Sequence, residues 1–164
     1  MAEIHDITKP IELDYLYNAA DKLYMQFARR CGISTCAYWM LYDLVRAEDT
    51  SSLTDLNDSW SYSKQTINSA LKALEARGLI ERAFVEGSRR NKRATLTEAG
   101  RDFAARNILP AMQAEERAFR MLSERERAQL LTLTRKYARA LEMEFASMHG
   151  KVDEPVNAEG EGAA

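Results

Sequence analysis

The 164-residue chain has few of the residues that build reactive or metal-bearing centres: two cysteines and two histidines. Two cysteines cannot form a disulfide framework or a zinc quartet. His5 stands near the first residue and His149 at the end of the last predicted helix, so neither is placed as a catalytic base. No Gly-rich phosphate loop, Ser-His-Asp set or His-Glu-x-x-His pattern occurs. Glu115-Glu116 and Glu142-x-Glu144 read as solvated helix faces. These absences argue against an enzyme and against any metal or cofactor. Long apolar runs are missing too. The longest, residues 36–42, stops at Asp43, whereas a membrane span needs about 20 residues. The opening Met1-Ala2-Glu3-Ile4-His5-Asp6 lacks the basic and apolar regions of a signal peptide. The expectation is a cytoplasmic protein with no membrane partner.

What is present is a globular composition, 46% apolar and 29% charged, with one strongly uneven charge distribution. Residues 61–95 carry eight Lys/Arg against three Glu, a net +5, although the whole chain is −2. The remaining residues therefore carry −7. A basic island in an acidic chain is the footprint of a surface that meets phosphates.

The island begins with a predicted helix that has two faces. Ile67, Ala70, Leu71 and Leu74 follow the i, i+3, i+4, i+7 spacing of a buried stripe. Lys64, Asn68 and Lys72 form a second stripe, flanked by Gln65 and Ser69, with the hydrogen-bonding groups that read base edges in a major groove. Ser63 is the expected N-cap, and Gly78 the residue that ends the helix with positive φ. Leu79, Ile80, Phe84 and Val85 then read as a strand, and residues 94–96 as its return partner. Between them the turn carries Arg89, Arg90, Lys92 and Arg93, cations suited to a minor groove or flanking phosphates. A helix followed by a basic hairpin is the plan of a winged helix-turn-helix.

The segment resembles the MarR family of bacterial transcription regulators. Leu74-Glu75-Ala76-Arg77-Gly78-Leu79-Ile80-Glu81-Arg82 matches the family's LE-x-x-GLI-x-R, and Leu96-Thr97-Glu98-Ala99-Gly100 its LT-x-x-G. Arg90 matches the wing-tip arginine. The likeness extends more weakly over residues 11–148. Three positions depart from the pattern: Ser88 where Asp is frequent, Ser61 where Gly is common, and Arg93 where an apolar residue is usual. The resemblance implies a dimer interlaced through its first and last helices, and a small aromatic or phenolic effector between those helices and the DNA-binding lobe. For that effector the candidates are Tyr24, Tyr38, Trp39 and Tyr42, although an aromatic stripe is more often core than cleft.

Helices dominate the rest. Residues 11–30 form a long amphipathic stretch ending near Gly32. Ser34 caps a second helix, and Ser52-x-x-Asp55 starts a short third one. Thr97 opens a fifth helix that Pro110 is expected to kink or interrupt. Ser123-x-x-Glu126 caps a last helix with Leu130, Leu133 or Thr134, Tyr137, Leu141, Phe145 and Met148 along one side. From Lys151 onward the composition predicts a disordered acidic tail. The expected fold is mostly α with a small β-hairpin wing. Its domains are an N-terminal dimerisation helix (1–32), a winged helix-turn-helix lobe (33–99), C-terminal dimerisation helices (100–149) and a tail (150–164). Long apolar helix faces point to a homodimer, which would set two recognition helices about one helical turn apart on a pseudo-palindromic DNA operator.

The functional expectation is a sequence-specific double-stranded DNA-binding regulator, a repressor released by a small molecule. Its DNA contacts would be Ser63, Lys64, Gln65, Thr66, Asn68, Ser69, Lys72, Arg89, Arg90 and Lys92. Two alternatives stay open: a redox sensor using Cys31 and Cys36, and a winged-helix module that binds protein partners. Free cysteine is more often a small buried hydrophobe, and neither Lys nor His flanks Cys36.

Overall fold

The structure, a computed structural model, describes residues 9–85, 87–88 and 91–152, with side chains as far as 148. Its elements are α1 (Pro10–Arg30), α2 (Thr35–Arg46), β1 (Thr50–Ser52), α3 (Leu53–Asp58), α4 (Lys64–Ala76), β2 (Ile80–Phe84), β3 (Lys92–Leu96), α5 (Glu98–Arg120) and α6 (Glu124–Val152). The expected class holds: a mostly helical protein with a small antiparallel sheet. The chain divides into two compact units, Met1–Ala114 and Glu115–Ala164.

The first unit is organised around α2. Ser34 Oγ accepts from the Ala37 N–H at 3.1 Å and starts the helix. Tyr38, Met40, Leu41 and Leu44 are then wholly buried. Against them pack Leu56 of α3 and the stripe of α4, in which Ile67, Ala70, Leu71 and Leu74 are all buried as their spacing predicts. Ile80, Ala94 and Leu96 close the core from the sheet side. Burial of side chains of this size contributes roughly 1.5–3 kcal/mol each, so this stripe holds α4 far more firmly than helix propensity could.

The sheet is three-stranded, in the order β1-β3-β2. The β2–β3 hairpin pairs Ile80 with Leu96 and Phe84 with Lys92, so the wing is as expected and two residues longer on its return side. The strand β1 was not expected. It pairs Thr50 with Thr95 and Ser52 with Arg93. Its three polar residues carry no alternation that marks a strand. It is set by the preceding turn, where Glu48 and Asp49 take φ of 52° and 75° and the Asp49 carbonyl accepts from the Leu96 N–H at 2.9 Å.

Of the expected kink or interruption at Pro110, the interruption is corrected: α5 runs from Glu98 to Arg120 with Pro110 inside it. The proline removes one N–H, but Pro110 and Arg106 are both exposed, so the carbonyl one turn earlier can be satisfied by water. Thr97 does start α5, its Oγ1 accepting from the Gly100 N–H at 2.9 Å.

The second unit contains the end of α5 and all of α6. A complete capping box opens α6: Glu126 Oε2 accepts from the Ser123 N–H at 2.8 Å, and Ser123 Oγ accepts from the Glu126 N–H at 3.3 Å. The helix continues to Val152, so Lys151 and Val152 are helical rather than tail. Of its expected apolar side, Thr134, Tyr137 and Leu141 are half-buried, while Leu130, Leu133, Phe145 and Met148 are exposed. The rest of the expected acidic tail, and the first eight residues, lie outside the described residues.

Candidate nucleic-acid interface

Four short links fix the position of α4. Ser63 Oγ accepts from the Thr66 N–H at 3.1 Å and caps its start. At its other end Gly78 takes φ 67° and turns the chain towards β2. Arg82 of β2 then donates to Glu75 through both Nε, at 3.0 Å, and a terminal guanidinium nitrogen, which holds the Glu75 carboxyl below the usual carboxylate range. Thr97 Oγ1 donates to the Gly78 carbonyl at 2.6 Å. Beside it, a Cβ on Gly100 would lie 1.8 Å from the Leu79 carbonyl oxygen, so only glycine allows α5 this close. The two sequence motifs are therefore one structural joint.

With α4 so held, Ser63, Lys64, Gln65, Thr66, Asn68, Ser69 and Lys72 are all exposed. They are not equivalent. Ser63 and Thr66 share a hydroxyl hydrogen bond of 2.8 Å, and Ser69 donates to the Gln65 carbonyl at 2.9 Å. Lys64, Gln65, Asn68 and Lys72 make no side-chain hydrogen bond or ion pair with another described residue, so their donors and acceptors face solvent unspent.

The basic island divides in the same way. Arg82 is committed to Glu75. Arg77 donates to the Gly32 carbonyl at 2.8 Å and its guanidinium lies 5.3 Å from the centre of the Phe103 ring. These two cations serve the fold, a distinction the charge count could not make. In the wing, Lys92 Nζ sits 4.7 Å over the exposed Phe84 ring. Ser88 Oγ accepts from the Asn91 N–H at 2.9 Å and Gly87 takes φ 76°, so a hydroxyl restrains the turn where the family often has a carboxylate. Arg93 is exposed on β3 opposite Ala83. Arg89 and Arg90, and with them the expected wing-tip contacts, lie outside the described residues.

Residues 32–91 match the sequence model of the MarR family. The likeness to the MarR family rests on this segment. The fold agrees over most of the length. A MarR family regulator from Neisseria meningitidis superposes with a TM-score of 0.71 at 23% identity, covering 83% of this chain and 95% of that one. A MarR family transcriptional regulator from Streptomyces coelicolor in complex with DNA gives 0.62 at 21% identity, covering 79% and 85%. BpsR from Bordetella bronchiseptica, whose DNA binding is regulated by 6-hydroxynicotinic acid, gives 0.56 at 22%, covering 77% and 98%. No curated protein sequence matches the chain.

Within the first unit lies a cavity of about 470 Å³. Asp21, Tyr24 and Met25 reach it from one face of α1, Thr35 and Trp39 from α2. Its third wall is the turn of the helix-turn-helix itself, Trp60-Ser61-Tyr62. Trp60 stacks on Trp39 with centroids 4.0 Å apart, and its Nε1 donates to Asp43 Oδ2 at 2.7 Å. Of the four aromatic residues expected at an effector site, Tyr24 and Trp39 line the cavity. Tyr38 is wholly buried behind them and Tyr42 packs on Trp39 at 5.4 Å. Sequence reasoning missed Asp21, Trp60 and Tyr62. Only the second tryptophan, directly before the recognition helix, was a signal that could have found them.

Cys31 is half-buried and Cys36 buried, both as free thiols. Burial pushes the Cys36 thiol up to about 11 and raises Cys31 as well. Both are thus neutral near pH 7, which fits packing rather than thiolate chemistry. Among the described residues no group of three or more His, Cys, Asp or Glu is placed to hold a metal, and no helix is long and apolar enough to cross a membrane.

Proposed function

We propose that the chain is a homodimeric repressor that reads a pseudo-palindromic operator through α4 and releases it when a small molecule enters the cavity beside the helix-turn-helix. The observation that carries the DNA-reading part is the exposed set Lys64, Gln65, Asn68 and Lys72, unspent on one face of a helix whose other face is locked in the core. Two amide side chains offer paired donors and acceptors to base edges, and two lysines offer charge to phosphates. A structural neighbour in complex with DNA supports the reading.

The dimer is supported by apolar side chains that each unit leaves in solvent. In α1, Tyr15, Leu16 and Leu23 are 59%, 68% and 67% exposed. In α6, Leu133, Met143 and Phe145 are more than half exposed as well. A symmetric partner is the common way to cover such faces, and it gives residues 1–32 and 100–149 their proposed dimerisation role. Small-molecule release is supported by the neighbour regulated by 6-hydroxynicotinic acid and by the cavity's position. An occupant pressing on Trp60 acts three residues before the Ser63 cap, where a small rotation re-aims the whole of α4.

The test is light scattering together with fluorescence anisotropy on duplex DNA across a salt series. A dimer whose affinity falls steeply with salt, and differs between sequences, is expected. A monomer at micromolar concentration, or equal affinity for all duplexes, would overturn the reading.

A further inference from the structure

The cavity has an electrostatic character that its neighbours' ligands do not lead one to expect. Among its lining residues there is no Lys, Arg or His; the one ionised side chain is the carboxylate of Asp21. Tyr24, Trp39, Trp60 and Tyr62 bring aromatic rings into its lining. Tyr24 and Trp39 stand with centroids 4.6 Å apart and tilted by 53°, and Trp60 stacks near-parallel on Trp39, so Trp39 is largely covered while Tyr24 and Trp60 are only half-buried. The face of an aromatic ring carries negative potential, strongest for tryptophan. The bond from Trp60 Nε1 to the Asp43 carboxylate draws the indole proton outward and makes that ring richer in electrons. Asp21 acts on the same space: the Tyr62 hydroxyl is raised from its usual pKa by burial first, then by the neighbouring Cys36 and Asp21 side chains.

An aromatic carboxylate placed here would meet a like charge and π faces, with no lining cation to pair with it, so its desolvation would go uncompensated. An organic cation would gain twice, from the rings and from Asp21. A volume near 470 Å³ lies within the range of about 300–1,000 Å³ that holds small molecules, so one ring with a substituted amine fits.

We propose that this cavity takes a small organic cation with an aromatic body, an aromatic or quaternary amine, and rejects aromatic carboxylates. The proposal deepens the effector reading above and rests on the same cavity, while the ligand class stands or falls by itself. Asp21 is the specificity-determining residue, and the half-buried rings of Tyr24 and Trp60 supply the platform.

The probes are benzyltrimethylammonium, its neutral isostere neopentylbenzene, and phenylacetate. Each is titrated into the full chain with tryptophan fluorescence and calorimetry as readouts, and duplex DNA binding is followed separately. Saturable binding of the cation is expected, at least tenfold tighter than of the isostere, with no binding of phenylacetate. Asp21 is exposed, so Asp21→Asn should fold normally, and it should weaken the cation roughly tenfold while leaving the isostere unchanged. Phenylacetate binding as tightly as the cation, no cation binding, or an Asp21→Asn protein with unaltered cation affinity would each overturn the proposal. Cation binding that leaves DNA affinity unmoved would uphold the ligand class and remove the effector role instead.

Discussion

The two faces of α4 differ in how completely their atoms are used. On the inner side and at the C-terminal end, nearly every group has a defined partner. Leu74 is buried, Glu75 holds Arg82, Gly78 receives Thr97, and Leu79 leaves room only for Gly100. On the outer side, four polar side chains have none among the described residues. A helix can present unspent groups to a ligand only if something else fixes its place, because groups that positioned themselves would already be paired. The holding face sets the geometry and the reading face sets what is read.

The largest expected effect comes from breaking the holding side. Gly100→Ala gains up to about 1 kcal/mol of helix propensity, but sets a methyl 1.8 Å from a backbone oxygen. The clash wins, and a net loss of roughly 3 kcal/mol or more is expected by urea unfolding. Unaltered stability would mean that α5 can move away from Leu79 freely and that the joint is soft.

Changes on the reading side should leave stability within about 0.5 kcal/mol of the parent and act on DNA alone. Gln65→Ala or Asn68→Ala should each cost about 1–3 kcal/mol at particular operator positions. Lys64→Ala or Lys72→Ala should weaken all sequences alike and lower the salt slope by about one. Because the Ser69 hydroxyl already donates to Gln65, Ser69→Ala should cost less than either amide change, measured by anisotropy on the same duplexes.

How much of this was legible in the sequence follows the same division. The motif residues Leu74, Glu75, Gly78, Leu79, Ile80, Thr97 and Gly100 mark a joint whose partners are close in the fold and whose chemistry is narrow. The apolar stripe of α4 and the caps at Ser34, Ser63 and Ser123 were equally plain, since local spacing determines them. The strand β1 was not, because its pairing with β3 spans 45 residues from Thr50 to Thr95 and its own residues are neutral about strand formation. Nor was the continuity of α5 through Pro110, which depends on which side of the helix faces water. The cavity was half legible: Tyr24 and Trp39 stood out as aromatic, but nothing in the order of residues shows that the turn at Trp60 folds back onto them.

A smaller effect separates burial from reactivity. With the Cys36 thiol raised to about 11, it stays protonated in the folded protein where a free thiol would ionise. Its contribution to stability is complete below the unfolded value near 8.5 and is lost as pH rises towards the folded one. Iodoacetamide should therefore label Cys36 much more slowly in the native protein than in urea. A Cys31→Ser, Cys36→Ser double variant should show the same peroxide response of DNA binding as the parent. Oxidant release of DNA from the parent alone would restore the redox reading.

The smallest expected effect concerns acid. Glu75 is held below the usual carboxylate range by Arg82, so its contribution is present above the unfolded carboxylate pKa and is lost as pH falls through the lowered folded value. Glu75→Gln should flatten that part of the stability profile between neutral and acid pH, and an unchanged profile would show the pair to be inert.

The most direct test of the division between holding and reading is selection of bound sequences from a random duplex pool, carried out with the parent and with Gln65→Ala and Asn68→Ala. The account predicts a pseudo-palindrome with half-sites about one helical turn apart, in which each substitution relaxes preference at its own symmetric pair of positions and leaves the others intact. Enrichment of the same operator by all three proteins, or of no operator by any, would contradict it.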